Sequence, residues 1–180
     1  MSIGTATNFG LSQIILTEEQ IQSRVGELGQ QISRDYANKE VLLIGVLRGT
    51  IVFMADLMRS ISIPVSIDFM ALSSYGQATK ISGVVRIMKD LEESIEERHV
   101  LLVEDFIDTG LTLRYIFRNL QARRPASLKV CVMIDKPIHR LADVKVDYVG
   151  FQIPNVFVVG YGLDYRQRYR NLRFIARFLP

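Results

Sequence analysis

The chain is poor in the residues that build metal centres and disulfides. Its 180 residues include one cysteine, Cys131, and two histidines, His99 and His139. A single cysteine excludes an internal disulfide and suits a reducing compartment, so the expected location is cytoplasmic. The mid-strand setting of Cys131 reads as a small core residue. The histidines lack metal-ligand spacing and read as surface or turn residues; no zinc pattern and no Ser-His-Asp arrangement is present. No stretch approaches the roughly 18 consecutive apolar residues of a membrane span. The first sixteen residues contain no Lys or Arg, so the basic start of a secretory signal is missing. The Gly-x-x-x-x-Gly-Lys-Ser/Thr loop is absent, and so are internal repeats and low-complexity linkers.

What remains is the composition of an ordinary globular protein. Hydrophobic residues make up 48% and charged residues 23%, which excludes disorder over most of the chain. The length suits one domain, residues 1–180, with a single core. A net charge of +3 is too mild for a nucleic-acid signature. A modest arginine excess is also what a site for phosphorylated small molecules produces.

Apolar periodicity places the elements. Thr17 and Gln20 form a capping-box pattern ahead of Ile21, Val25, Leu28 and Ile32, which share one helical face. A helix is therefore predicted over 17–39, and others over 51–60 and 110–123. Strands are predicted over 41–46, 63–72, 84–89, 99–104, 127–135, 147–153 and 156–161. Residues 91–99 read as a turn with some helix, 73–83 as a polar loop, and the arginine-rich tail as an edge strand. Alternation of strand and helix through the middle argues for an α/β fold with a mainly parallel sheet covered on both faces. The terminal segments are left to form a small hood over the sheet.

In such sheets ligands bind beyond the carboxyl ends of the strands. Three buried strands end in unusual loops: LRGT (47–50), EDFIDTGLT (104–112) and DKP (135–137). In a parallel sheet all three open on one edge. Thr109, Gly110 and Thr112 sit where a predicted helix begins, with free backbone N–H groups and the positive end of the helix dipole, and so suit a phosphate. Taken alone, that element is an ordinary helix cap. Glu104 and Asp105 change the weighing, because an unpaired buried carboxylate is costly. Sugar hydroxyls or a shared magnesium ion would satisfy them. Asp108 is placed to act as a base or to face developing positive charge.

The stretch VLLVEDFIDTGLT (100–112) closely resembles the ribose-phosphate motif of the type I phosphoribosyltransferases, and within them the hypoxanthine-guanine branch. The likeness continues through LRGT, SSYG (73–76), DKP and FVVGYGLDYRQRYRNL (157–172), and so spans about residues 17 to 175. It implies a type I phosphoribosyltransferase fold with a small hood. The implied reaction joins a purine base to the ribose 5-phosphate of 5-phosphoribosyl 1-pyrophosphate and releases pyrophosphate, with Mg2+. Hypoxanthine, and guanine beside it, would give IMP and GMP in purine salvage.

By this resemblance Glu104 and Asp105 hold the ribose hydroxyls, partly through magnesium, and Asp108 is the general base near N7 of the purine. Thr109, Gly110, Leu111 and Thr112 bind the 5′-phosphate. Arg48 and Gly49 form a pyrophosphate loop, with a cis peptide expected between Leu47 and Arg48. Lys136 reads the purine 6-oxo group, since an ammonium only donates and so opposes the amino group of adenine. Phe157 stacks on the base, and the backbone of Val158 meets its Watson–Crick edge. Asp164, beside the base and pyrophosphate, binds a magnesium; Arg170 contacts pyrophosphate. Ser73, Ser74, Tyr75 and Gly76 open a mobile lid over the reacting centre. The sequence departs from the family pattern at three places. Phe106 stands where a smaller aliphatic residue is common, Leu111 where some members carry a basic residue, and Arg48 where others have Lys. The resemblance also implies a homodimer or homotetramer. Two alternatives share the motifs: a xanthine- or guanine-preferring enzyme, and an RNA-binding attenuation regulator of the same fold. The regulator would need Arg123, Arg124 and the arginines of 166–177 as its basic surface.

Overall fold

The computed structural model describes residues 10–74 and 85–179. In chain order these form β1 (Leu11–Leu16), α1 (Glu18–Asp35), β2 (Val41–Leu47), α2 (Ile51–Ser60), β3 (Val65–Ser74), β4 (Val85–Lys89), β5 (His99–Ile107), α3 (Leu111–Gln121), β6 (Ser127–Asp135), β7 (Tyr148–Gln152), β8 (Val158–Val159) and β9 (Ile175–Phe178). A single 3-10 turn, Pro137–His139, follows β6. The capping box forms: the Gln20 amide N–H donates to Thr17 Oγ1 at 3.3 Å, and the Thr17 N–H donates to Gln20 Oε1 at 2.9 Å.

Six strands make the central sheet in the order β4-β3-β2-β5-β6-β7. All neighbours from β3 to β7 run parallel and β4 pairs antiparallel with β3. Strand side chains alternate between faces, and the core divides accordingly. Leu43, Leu101, Val103 and Cys131 pack under α1 and α2, against Ile21, Val25, Leu28, Phe53 and Leu57. Leu42, Ile44, Leu102 and Val130 pack under α3, against Ile116 and Leu120. Each such fully buried side chain contributes roughly 1.5–3 kcal/mol of transfer free energy before conformational entropy is set against it.

The crossover through α2 carries the chain from β2 to β3. The crossover through α3 carries it from β5 to β6, on the opposite side. The loops after the adjacent strands β2 and β5 therefore diverge and leave a crevice at the carboxyl edge. Above that edge, β1, β9 and β8 form a separate antiparallel sheet.

Several sequence expectations need correction. β5 does not stop at the acids; it runs through Glu104 and Asp105 to Ile107, because β6 pairs with it that far. β3 includes Ser73 and Ser74, which pair with Arg86 and Val85 of β4, so those two residues are strand and not the start of the predicted loop. Tyr75, Gly76 and the rest of the predicted lid to 83 lie outside the described residues. Residues 91–98 contain turns and bends but no helix, and α1 ends at Asp35 before a turn in which Asn38 has φ 61°. The strand over 156–161 shrinks to Val158–Val159. The tail strand β9 is central in its sheet, not an edge. His99 is no turn residue: it opens β5, with Nδ1 2.8 Å from Ser127 Oγ and its ring edge-on to Tyr36.

Candidate active site

Glu104 and Asp105 are successive strand residues and so face opposite sides of the sheet. Glu104 lies on the α3 side and is 8% exposed. Burial, reinforced by the neighbouring Asp105 charge, pushes its carboxyl well above the usual carboxylate range. Asp105 lies on the α2 side. Burial pushes it up to about 6, against the backbone N–H groups it accepts from and the pull of Arg170, while Asp164 adds to the rise. Its Oδ1 accepts from the Phe106 N–H at 2.8 Å. The loop after β2 lies directly on this carboxylate, and a methyl group on Gly49 would overlap it. Glycine is the residue that permits this approach. The Leu47–Arg48 peptide bond is cis.

One residue beyond β5, Asp108 faces the same crevice, and its charge acts on Lys136. Gly110 is the N-cap of α3, with φ 77° in the left-handed region, where glycine carries no steric penalty. Thr109 is held from below, its carbonyl accepting from the Leu141 and Ala142 N–H groups at 2.9 and 3.0 Å. Arg140 secures that lower segment: it pairs with the buried Asp135 and donates to the Val144 carbonyl at 3.0 Å. The amides at the start of α3 thus open on a shallow cradle, the arrangement that binds anions at helix N-termini.

Across the crevice lies a tight corner between β8 and β9. Tyr161, Arg166, Gln167 and Tyr169 all have φ between 50° and 78°, a conformation that costs non-glycine residues free energy and gathers at functional sites. Within it Asp164 Oδ1 pairs with Arg170 Nη2 at 2.6 Å, and Arg170 Nη1 donates to the Gly162 carbonyl at 2.7 Å. Gln167 Oε1 accepts from Arg48 Nη1 at 3.2 Å and from Arg170 Nη2 at 3.3 Å. The Gln167 N–H donates to Asp164 Oδ2 at 2.8 Å.

Lys136 follows β6 and is only 8% exposed. Its ammonium donates to the Val156 carbonyl at 2.8 Å and stands 5.5 Å from the centre of the Phe106 ring. Burial lowers its pKa, opposed by the Asp108 charge. Phe157 is 49% exposed, with its ring edge-on to Tyr165.

These groups line two confluent cavities that share Arg48, Gly49, Asp105, Phe106 and Asp108. The first, of about 300 Å³, also takes in Glu104, Thr109, Gly110 and Thr112. The second, of about 590 Å³, takes in Lys136, Phe157, Val158, Asp164 and Arg170. Leu111 lines neither and is 46% exposed. Ser73 lines neither, and its hydroxyl is buried without a hydrogen-bond partner among the described residues. Sequence reasoning missed Gln167, hidden in an arginine-rich run, and the contact of Phe106 with Lys136, which crosses from one strand end to the next. Arg123 and Arg124 pair with Asp90 and Glu96, so the expected basic surface is partly neutralised.

Residues 12–166 match the family model of the phosphoribosyl transferase domain. The hypoxanthine-guanine phosphoribosyltransferase of Mycobacterium tuberculosis is 51% identical over 176 residues, covering 94% of this chain and 87% of that one. A crystal structure of a hypoxanthine-guanine phosphoribosyltransferase from Bacillus anthracis superposes with a TM-score of 0.90 at 45% identity, covering 94% of this chain and 99% of that one. One of a hypoxanthine phosphoribosyltransferase from Staphylococcus aureus does so with a TM-score of 0.91 at 47% identity, covering 95% and 93%. Sequence and fold agree over nearly the whole length, and the chain belongs to the phosphoribosyltransferase family.

Proposed function

We propose that this chain transfers the 5-phosphoribosyl group of 5-phosphoribosyl 1-pyrophosphate to hypoxanthine and guanine, forming IMP or GMP and releasing pyrophosphate. The observation that carries the reading is one continuous cleft with an anion cradle and buried acids at one end and Lys136 with Phe157 at the other. The ribose lies between, over the acids. As the bond from ribose to pyrophosphate breaks, the ring gains oxocarbenium character, and nearby carboxylates stabilise that charge more than the ground state. Asp108 accepts the proton shed by the base. Thr109, Gly110 and Thr112 hold the 5′-phosphate, with Leu111 contributing its backbone alone. Lys136 donates to the 6-oxo group, Phe157 stacks, and the Val158 backbone meets the base edge. Arg48, Gly49 and Arg170 take the pyrophosphate. Ser73, Ser74, Tyr75 and Gly76 lead into the lid of this proposal.

The donor set suits magnesium. Glu104 and Asp105 are hard oxygen donors held in a buried setting; Asp105 feels the charge of Arg170, and no basic side chain pairs with Glu104 among the described residues. Asp164 would share its carboxylate between Arg170 and the ion. No cluster of three metal-ligating side chains is present among the described residues, so most of the ion's oxygens would come from substrate and water, as magnesium prefers. When bound, it neutralises charge on the departing pyrophosphate.

The proposal includes assembly as a homodimer or homotetramer in the cytoplasm. No helix among the described residues is long and apolar enough to cross a membrane. The test is a panel of bases, each with 5-phosphoribosyl 1-pyrophosphate and magnesium. Turnover of hypoxanthine and guanine with none of adenine or uracil is expected. Turnover of xanthine above hypoxanthine would move the chain to the xanthine-preferring alternative.

A further inference from the structure

We infer that Gln167 is a positioning residue for the diphosphate end of the cleft. The inference rests on the reading of Arg48, Asp164 and Arg170 as the groups that face pyrophosphate. Those three come from two separate parts of the chain, the loop after β2 and the corner before β9. Two guanidinium groups brought to one small cavity repel each other, and each has several rotamers that would satisfy it in water. Gln167 Oε1 accepts from both, at 3.2 and 3.3 Å, and is their common acceptor. The Asp164 carboxylate is also divided between Arg170 and the Gln167 N–H. One residue thus fixes Arg48 against Arg170 and, through its N–H, holds the carboxylate that pairs with Arg170.

The backbone supports this role. Gln167 has φ 65°, a left-handed conformation that an L side chain adopts at a cost. In this corner its N–H donates to Asp164 Oδ2 at 2.8 Å. The side chain is uncharged, so its oxygen orients two arginines without cancelling their charge. A carboxylate would hold them too, but would add a negative charge where a diphosphate must enter.

The experiment compares wild type, Gln167→Met and Gln167→Glu by steady-state kinetics with hypoxanthine, magnesium and 5-phosphoribosyl 1-pyrophosphate, with product inhibition by pyrophosphate and thermal melting alongside. Methionine keeps the length and removes the acceptor. Gln167→Met is expected to raise KM for 5-phosphoribosyl 1-pyrophosphate and weaken pyrophosphate inhibition by about tenfold each, a typical effect of losing hydrogen bonds to charged groups. KM for hypoxanthine and the melting temperature stay as in wild type. Gln167→Glu restores part of the alignment and so falls between the two. Wild-type constants for both diphosphate ligands in Gln167→Met would overturn the inference while leaving the function standing. So would an equal rise in KM for hypoxanthine, which marks general disruption. A folded wild type that turns over no base would sink the function and this inference together.

Discussion

Asp105 shows how tightly this site is specified by single residues. Its carboxyl is held near a pKa of about 6 by burial, and the space beside it is reserved by Gly49. Gly49→Ala places a methyl group on that carboxylate, so the loop carrying Arg48 must shift. Because ångström-scale misplacement costs on the order of 10²-fold in rate, kcat/KM should fall by about that factor in initial-rate assays, with the melting temperature little changed. Lys136 makes the opposite point about selectivity. Lys136→Ala removes the donor to a 6-oxo group, and KM for hypoxanthine should rise about tenfold or more. An unchanged KM would remove Lys136 from base recognition.

At the level of elements, the site depends on braces outside the cleft. Arg140 ties the 3-10 turn to Asp135 under the phosphate cradle. Arg140→Met leaves that carboxylate buried and unpaired, and thermal unfolding should show a loss of about 3 kcal/mol. Asp68 in β3 accepts from the Phe69 and Glu92 N–H groups at 2.7 and 2.8 Å and pairs with Lys89. Burial alone would raise its pKa; these partners outweigh burial and lower it. A depressed folded pKa contributes stability above the unfolded value of about 3.9 and loses it as pH falls below. Asp68→Asn should therefore cost roughly 1–3 kcal/mol at pH 7, with the gap to wild type closing below about pH 4. Elements with strong local signals were legible in the sequence: α1 from its capping box and apolar face, β2 from its continuous apolar run. β1 was not legible. Its residues alternate weakly, and its partner β9 lies about 160 positions away, so pairing across the sheet defines it. The extension of β5 past Glu104 was hidden for the same reason, since β6 supplies the hydrogen bonds that keep two acids in a strand.

For the whole molecule, the parallel sheet between helix layers followed from strand–helix alternation, and the crevice followed from the loops after 46, 104 and 135. What the sequence could not show is the corner around 160–172, where left-handed residues fold an arginine-rich segment back onto Arg48. Cys131 reports on the whole fold. It is fully buried, and burial pushes its thiol pKa up. It should resist a thiol reagent in the native state and react at the global unfolding rate. The central claim is that acids at the end of β5 carry phosphoribosyl transfer. The measurement that tests it most directly is nucleotide formation from hypoxanthine and 5-phosphoribosyl 1-pyrophosphate, with the product identified by mass, in wild type and Asp108→Asn side by side. Expected are IMP from wild type, a rate lower by roughly 10²-fold or more in the variant, and similar KM for 5-phosphoribosyl 1-pyrophosphate. No nucleotide from folded wild type, or equal rates from both, would contradict that claim.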